Sequence, residues 1–457
     1  MLFHSWTFAL FFAVVYLGYL PLRGKRLCLW WLLIASYVFY AWWNPLYLLI
    51  IVYSSLLDYS VVVMMARAHK KKPWLALSIV NNLLLLSLFK YGAFVSESLA
   101  SLFDRVGIPL TVPSPGVLLP VGISFYIFQS MSYTIDFYRG DVERERSLVR
   151  YAAFVALFPQ LVAGPIERAR NLLPQLAKRR PVSPQHVSDG LSLFLVGLFK
   201  KVALADYLAL YVDRVYAAPE LFDSLSLMLA TFAFGWQIYF DFSGYTDMAR
   251  GVARMMGYNL MLNFNHPYLA TGLEDFWNRW HISLSSWFRD YVYIPLGGNR
   301  RGRTSTYWNM FLTMVISGLW HGAAWSFVAW GAVHGAGRLL TRDLERHRFY
   351  REHVPKLLKQ LWVFGLVTFA WIFFRAESLD SAIMIIQRIF AGGFGDPGFP
   401  VVALLLCLTV WVYQLLCESR ARFVLEWSSA RIALALGMLL ILVFSAPSHE
   451  PFIYFQF

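Results

Sequence analysis

Residues 306–337 read TYWNMFLTMVISGLWHGAAWSFVAWGAVHGAG, an apolar stretch flanked by arginines at positions 303 and 338. As one straight helix at about 1.5 Å per residue it would be about 48 Å long, which exceeds a membrane core of about 30 Å. Because basic residues flank both ends, we expect a helical hairpin with its turn at Trp320-His321-Gly322. That turn would place an ionisable histidine at depth in the membrane, which is tolerable only inside protein or beside a water-filled cavity.

The composition of the whole chain favours a membrane protein. Of its 457 residues, 58% are hydrophobic and 15% charged, whereas a soluble domain has roughly 45–50% apolar and about 25% charged residues. This excludes a soluble enzyme, a disordered protein and a disulfide-stapled secreted domain. Apolar runs recur without a long polar linker, so we expect one all-α polytopic membrane domain over residues 1–457.

Apolar runs of about 20 residues, enough to cross a bilayer, predict about ten transmembrane helices. Residues 151–165 are flanked by arginines and predict a second re-entrant segment. Residues 272–298 are amphipathic and predict interfacial helices. The predicted crossings lie at about 3–22, 27–43, 45–66, 73–95, 117–138, 188–212, 222–242, 360–374, 398–416 and 431–447.

The distribution of basic residues predicts the orientation of these helices. The net charge is +13, and most Lys and Arg fall in loops on one side, which the positive-inside rule places in the cytoplasm. Both termini are then extracytoplasmic. The first apolar run lacks a basic leader and a cleavage site, which favours a retained span.

Three histidines are candidates for chemistry. His321 lies between glycines at the predicted turn, where a neutral imidazole can accept a proton from a hydroxyl; the alternative is a histidine that only packs between helices. His281, in DFWNRWHISLS at 275–285, is a candidate second polar group of the same cavity, or the edge of an amphipathic helix. His334 is expected to pack.

Other polar residues have weaker signals. Asp241 and Asp247 are expected to form structural ion pairs with Arg250, Arg254 or a more distant basic residue. A metal site is weakly supported, because the histidines lack metal-ligand spacing.

Two segments near the ends of predicted spans have possible roles in the site. The loop NFNHPY at 263–268, which includes Asn263, could shape a cavity floor. The aromatic tail PFIYFQF at 451–457 is expected to be an interfacial anchor, or to fold its Tyr454 hydroxyl back into a pore.

Several runs together resemble the membrane-bound O-acyltransferase superfamily, in its bacterial alginate O-acetyltransferase-like branch. The resemblance covers essentially the whole chain and is specific as a combination. The runs are PVGISFY at 120–126, QLVAGPI at 160–166, DFSGYTDMARG at 241–251, DFWNRWHISLS at 275–285, YIPLGG at 293–298 and GLWHG at 318–322.

The resemblance implies a ring of helices around a central funnel and roles for particular residues. It makes His321 the catalytic histidine, His281 the second functional histidine and Tyr454 a transient acyl carrier. We also expect substrate contacts from Asn263, Trp320, Ser283, Ser285 and Tyr454, and no metal.

The expected function is O-acetylation of an extracytoplasmic, alginate-type polysaccharide from a cytoplasmic thioester, acetyl-CoA, with no tightly bound cofactor. The expected location is the bacterial inner membrane. The expected partners are membrane lipids, acyl-CoA or an acyl carrier protein, and a periplasmic acetyltransferase, but no nucleic acid. Peptidoglycan, cellulose and D-alanyl transfer to teichoic acid stay open as alternatives. So do two non-enzymatic classes, a transporter and a scaffold of a polymer-export complex.

Overall fold

A computed structural model of the chain describes residues 1–108, 119–178 and 181–444. Every regular element in these ranges is helical. The contacts divide the chain into two compact units. The first takes Met1–Phe194 and Met248–Met261, and the second takes Leu195–Asp247 and the chain from Leu262 onward. The expectation of one domain stays a prediction.

The helices up to residue 198 overlap each of the first six predicted crossings in the described ranges. α4 and α5 are joined through a π-helical segment at Ser87–Tyr91. The α-helices are α1 Trp6–Leu22, α2 Leu27–Ala41, α3 Tyr47–Arg67, α4 Lys72–Leu86, α5 Gly92–Arg105, α6 Ile123–Arg139, α7 Leu148–Ala156, α8 Phe158–Leu161, α9 Ala169–Ala177 and α10 Pro184–Leu198.

The later helices include the predicted hairpin, α15 and α16. π-helical segments lie at Phe199–Ala205 and Arg289–Tyr293. The α-helices are α11 Asp206–Ala217, α12 Ser224–Met255, α13 Leu273–Arg279, α14 Ile282–Phe288, α15 Arg303–His321, α16 Trp325–Arg346, α17 Arg348–Glu352, α18 Lys356–Arg375, α19 Leu379–Ala391, α20 Val401–Glu418, α21 Phe423–Glu426 and α22 Ser428–Phe444.

Several helices are suited to a membrane by length and composition. In the described ranges four are long and apolar enough to cross one: Tyr47–Arg67, Lys72–Arg105, Lys356–Arg375 and Val401–Glu418. α1, α2 and α22 are apolar but shorter. Each predicted crossing overlaps a helix in the described ranges, while the number of crossings stays a prediction.

The predicted re-entrant segment at 151–165 is a broken helix. α7 has 9 residues, about 14 Å at about 1.5 Å per residue, which is too short to cross a core of about 30 Å. Where it ends, the carbonyl of Phe154 accepts hydrogen bonds from the side-chain amides of Gln129 and Gln160, at 2.5 and 2.7 Å. Side chains thus satisfy a backbone group that the broken helix leaves without its usual partner.

The expected interfacial segment at 272–298 consists of α13, α14 and a π-helical turn. α13 and α14 have 7 residues each, so neither can cross a membrane. They lie directly before the hairpin in the chain and carry His281 between them.

Candidate active site

The hairpin places His321 at the end of its first helix. α15 ends at His321 and α16 begins at Trp325, so the turn lies at Gly322–Ala324. The arms have 19 and 22 residues, about 28 and 33 Å at about 1.5 Å per residue. Arms of this length can carry the turn to the middle of a bilayer core or beyond it. The helical hairpin is confirmed, but its turn lies two residues later than expected, because α15 stays helical through His321. The depth of His321 in the bilayer stays a prediction.

Glycines let the two arms of the hairpin pack backbone against backbone. A Cβ added to Gly318 would lie 2.2 Å from the carbonyl oxygen of Phe327, and one added to Gly331 would lie 2.4 Å from that of Met314. Any larger residue would therefore force the helices apart. The close approach fixes the position of the turn and hence of His321.

Two tryptophans join the three candidate histidines into one cluster. The ring of Trp320 lies 6.2 Å from that of His281 and 5.0 Å from that of His321. The ring of Trp330 lies 5.0 Å from His321 and 4.8 Å from His334. We call these five residues the histidine–tryptophan cluster; all five are buried.

The backbone at His281 has a conformation that residues other than glycine rarely adopt. Its φ is +41°, in the left-handed region. Asn263 holds this turn, because its backbone carbonyl accepts from the amide of Ile282 at 2.9 Å. Its side-chain Oδ1 accepts from the Oγ of Ser283 at 2.7 Å and from the backbone N of Ser283 at 3.3 Å. Burial lowers the pKa of His281 to about 3, so its imidazole is neutral near pH 7.

These bonds also determine which way the Asn263 amide points. Because Oδ1 faces the Ser283 amide, which can only donate, the Nδ2 group must point away from it. Nδ2 is buried and has no hydrogen-bond partner among the described residues. The Asn263 amide therefore has a buried donor that no described residue uses.

A cavity of about 400 Å³ opens beside the hairpin and is bordered by arginines. Arg338, Arg342 and Arg346 follow one another at four-residue intervals on α16, so they lie along one helix face. Arg338 pairs with Glu274 and Glu345. The lining residues are Glu274, Trp277, Asn278, Ile282, Leu284, Ser285, Ser286, Phe288, Arg289, Tyr293, Asn299, Met310, Thr313, Met314, Ser317, Arg338, Arg342 and Arg346.

Two of these arginines are free of carboxylates. Within the described ranges neither Arg342 nor Arg346 takes part in a salt bridge, and Arg342 packs over the ring of Tyr307 at 5.2 Å. The cavity lining also includes Met310 and Met314, and it reaches Ser317, one helical turn before His321. The cavity thus extends from the arginines on the part of α16 far from the turn to the vicinity of the turn itself. The arginine spacing on α16 was visible in the sequence, but basic residues there were assigned only to membrane orientation.

The remaining predicted site residues are placed as follows. Ser285 lines the cavity and its hydroxyl donates to the carbonyl of Trp280 at 3.0 Å, while Ser283 is bound to Asn263. Tyr454 lies outside the described residues. In the described part of the chain, no three His, Cys, Asp or Glu side chains form a group that could hold a metal.

Asp241 and Asp247 form ion pairs, as expected, with the more distant of the basic partners considered. Lys201 binds Asp241 and Asp206, each at 2.8 Å, and Lys200 binds Asp247 at 2.7 Å. Both lysines lie in the π-helical segment Phe199–Ala205. Sequence periodicity did not reveal this segment, so it could not single out these lysines as the partners.

Comparison with known proteins assigns the fold that carries this site. The model of the membrane-bound O-acyltransferase family matches residues 116–378, more than half of the chain. The chain belongs to the membrane-bound O-acyltransferase family. It is therefore a multi-pass membrane protein and an O-acyltransferase, and the family match includes the whole histidine–tryptophan cluster and the arginine-bordered cavity.

Relatives of the O-acyltransferase cover most or all of its length. A protein of Pseudomonas putida named "Probable alginate O-acetylase AlgI" is 38% identical over the whole of both chains. The protein of that name from Azotobacter vinelandii is 42% identical over 87% of this chain and 79% of its own. A "Peptidoglycan O-acetyltransferase" of Helicobacter pylori is 34% identical over 78% of this chain and 72% of its own.

Proposed function

We propose that this O-acyltransferase transfers an acetyl group from a cytoplasmic thioester, acetyl-CoA, for O-acetylation of an extracytoplasmic, alginate-type polysaccharide. The observation that carries the proposal is the placement of His321. It lies at a helix end inside a buried cluster, and a cavity lined partly by arginines reaches Ser317, one turn away from it.

The cavity suits the donor. Arg342 and Arg346, which form no salt bridge with any residue that the structure describes, can bind phosphate groups, because guanidinium recognises phosphate through paired hydrogen bonds. CoA and the phosphopantetheine of a carrier protein both carry phosphate. Met310 and Met314 in the cavity lining suit the uncharged pantetheine arm, whose thioester would then lie toward His321.

The chemistry follows from the polar atoms in reach. His321 takes the proton of an acceptor hydroxyl, the hydroxyl oxygen attacks the thioester carbonyl, and the C–S bond breaks to release a thiolate that gains the proton. General bases of this kind contribute about 100- to 10,000-fold to rate. The Nδ2 group of Asn263 is a candidate donor to the oxyanion that forms during attack, and neutral His281 orients the acyl group.

The acceptor is proposed from the relatives. The two relatives named for alginate cover more of this chain at higher identity than the one named for peptidoglycan, so alginate-type exopolysaccharide is the favoured acceptor. Peptidoglycan ranks next. The product would pass directly to the polysaccharide or through a periplasmic acetyltransferase, with both termini extracytoplasmic in the inner membrane.

Tyr454 is a proposed acyl relay on the outer face. The test is mass spectrometry of the C-terminal peptide after incubation with acetyl-CoA. A mass increase of one acetyl group on Tyr454 is expected, and an unmodified tyrosine under turnover would contradict the relay while leaving the transferase role intact.

The central experiment measures thioester consumption. Purified protein in proteoliposomes is given acetyl-CoA outside and alginate oligosaccharide inside, and free thiol and acetylated sugar are quantified. His321→Ala is expected to lower turnover by about 100-fold or more, whereas His69→Ala, at an exposed loop position, keeps it.

Each competing class predicts a different result in this assay. A transporter would work without thioester consumption, and a scaffold would tolerate alanine at both His321 and His281. Near-normal turnover by His321→Ala would reject the proposed role of this residue.

A further inference from the structure

His334 is buried in aromatic surroundings, yet its polar atoms face no protein partner. In the described part of the chain neither ring nitrogen has a hydrogen-bond partner, and the side chain is fully buried. Its ring neighbours are Phe276, Trp277 and Trp330. A neutral imidazole has one donor and one acceptor, and leaving both unsatisfied in a buried site is unfavourable. A histidine that only packs would be poorly suited to this position.

The two neighbouring indoles have the same property. The Nε1 groups of Trp277 and Trp330 are buried and have no hydrogen-bond partner among the described residues. Their rings meet that of His334 at 5.0 and 4.8 Å and each other at 5.8 Å, all nearly edge to face. Indole nitrogens only donate, so the two tryptophans cannot satisfy each other. The three side chains together suit a small polar molecule that can both accept and donate hydrogen bonds, as water does.

The position of this group connects the two parts of the site. Trp277 lines the arginine-bordered cavity, and Trp330 touches the ring of His321 at 5.0 Å. His334 lies against both and follows Trp330 by one turn of α16. A polar path through these residues would therefore run from His321 to the cavity proposed to hold the thioester.

We propose that His334 is a positioning residue whose ring nitrogens hold ordered water beside the indole N–H groups of Trp277 and Trp330, and that this water gives the proton on His321 a path to the thiolate leaving group. This rests on the proposed function. The reaction needs no other reactant. The O–H bond of the acceptor and the C–S bond of the thioester break, the ester C–O bond forms, and the proton ends on the sulfur.

The experiment compares two variants of the full-length protein in the proteoliposome assay with acetyl-CoA and alginate oligosaccharide. His334→Phe fills the space but cannot hold water, whereas His334→Gln keeps one donor and one acceptor. We expect His334→Phe to lower kcat about tenfold or more with KM for acetyl-CoA within twofold, and to increase the solvent deuterium isotope effect on kcat. We expect His334→Gln to recover most of the rate.

A second variant tests the role of the indole N–H, and thermal unfolding detects misfolded protein. Trp330→Phe removes the indole N–H and keeps an aromatic ring, and is expected to increase the same isotope effect; thermal unfolding in detergent reports on the fold of each variant. A folded His334→Phe protein with unchanged kcat and isotope effect would overturn the proposal, as would equal losses in His334→Phe and His334→Gln. If His321→Ala also keeps its turnover, the proposed function has failed as well; if only the His334 variants stay active, the inference alone has failed.

Discussion

Two substitutions at His281 separate the contribution of its backbone conformation from that of its imidazole ring. At φ +41° alanine is strained by roughly 1 kcal/mol, whereas asparagine tolerates the left-handed region better than most residues. We therefore expect His281→Asn to melt at a higher temperature than His281→Ala. Both variants are expected to lose about 100-fold in turnover if the imidazole acts on the acyl group. Thermal unfolding in detergent and thioester consumption give the two quantities.

The control for this pair is His266. It is the other non-glycine residue with positive φ in the described ranges, at +45°, and it is outside the histidine–tryptophan cluster. His266→Asn is expected to keep its turnover. An active His281→Asn protein would mean that the backbone turn, and not the ring, is what this position supplies.

The sequence singled out some residues of the site and missed others. His321 could be singled out because a charged or titratable group in an apolar stretch is costly and tends to be functional. His334 could not, because a histidine inside an apolar helix rich in aromatic residues has the same sequence signature whether or not its nitrogens find partners. Only the positions of the surrounding indoles show the difference.

At the scale of elements, the hairpin depends on glycine at the helix contact. Gly331→Ala would place a Cβ 2.4 Å from the carbonyl oxygen of Met314, so α15 and α16 would have to separate. Overpacking of this kind costs roughly 1–3 kcal/mol, and the shift would move His321 within its cluster. We expect a lower melting temperature and reduced turnover.

Gly365→Ala on α18 is the matched control. A Cβ there meets nothing within 4 Å, so the change is expected to leave the melting temperature unchanged or slightly raised, because alanine favours helix over glycine. If Gly331→Ala behaved like Gly365→Ala, the close contact would not be what positions the turn.

The π-helical segment at Phe199–Ala205 is a second element with a specific energetic role. Lys201 binds both Asp206 and Asp241, and all three side chains are nearly buried. Lys201→Met would leave two carboxylates close together without their cation, and removing one partner of a buried ion pair costs roughly 3–5 kcal/mol. We expect a large loss of thermal stability.

An exposed pair provides the comparison for Lys201. Arg348 binds Glu352 at 2.8 Å with 84% and 52% of their side chains exposed, and such pairs contribute about 0.3–0.5 kcal/mol. Arg348→Met should therefore be nearly neutral. Similarly small losses of thermal stability in both variants would show that the Lys201 pairs are solvated and do not stabilise the fold.

The hairpin and the π-helical segment differ in how far sequence could predict them. The hairpin followed from length, flanking arginines and a glycine-rich centre, all of which are one-dimensional features. The π-helical segment adds one residue to a helical turn, which a 3.6-residue hydrophobic pattern does not distinguish from a short irregularity. Consequently the helices were predicted, while the lysine partners of Asp241 and Asp247 were not.

At the scale of the whole molecule, the charge pattern predicts how the chain crosses the membrane. The positive-inside rule places the loop that carries Arg348 in the cytoplasm, and the region around Glu377 outside; both residues are exposed. The chain has 3 cysteines, so a cysteine-free background is practical. In intact cells a membrane-impermeant thiol reagent is expected to label Glu377→Cys, and to label Arg348→Cys only after the membrane is opened. Labelling of Arg348→Cys in intact cells would invert the orientation and place the arginine-bordered cavity on the wrong side for a cytoplasmic thioester, even if His321 were still required for turnover.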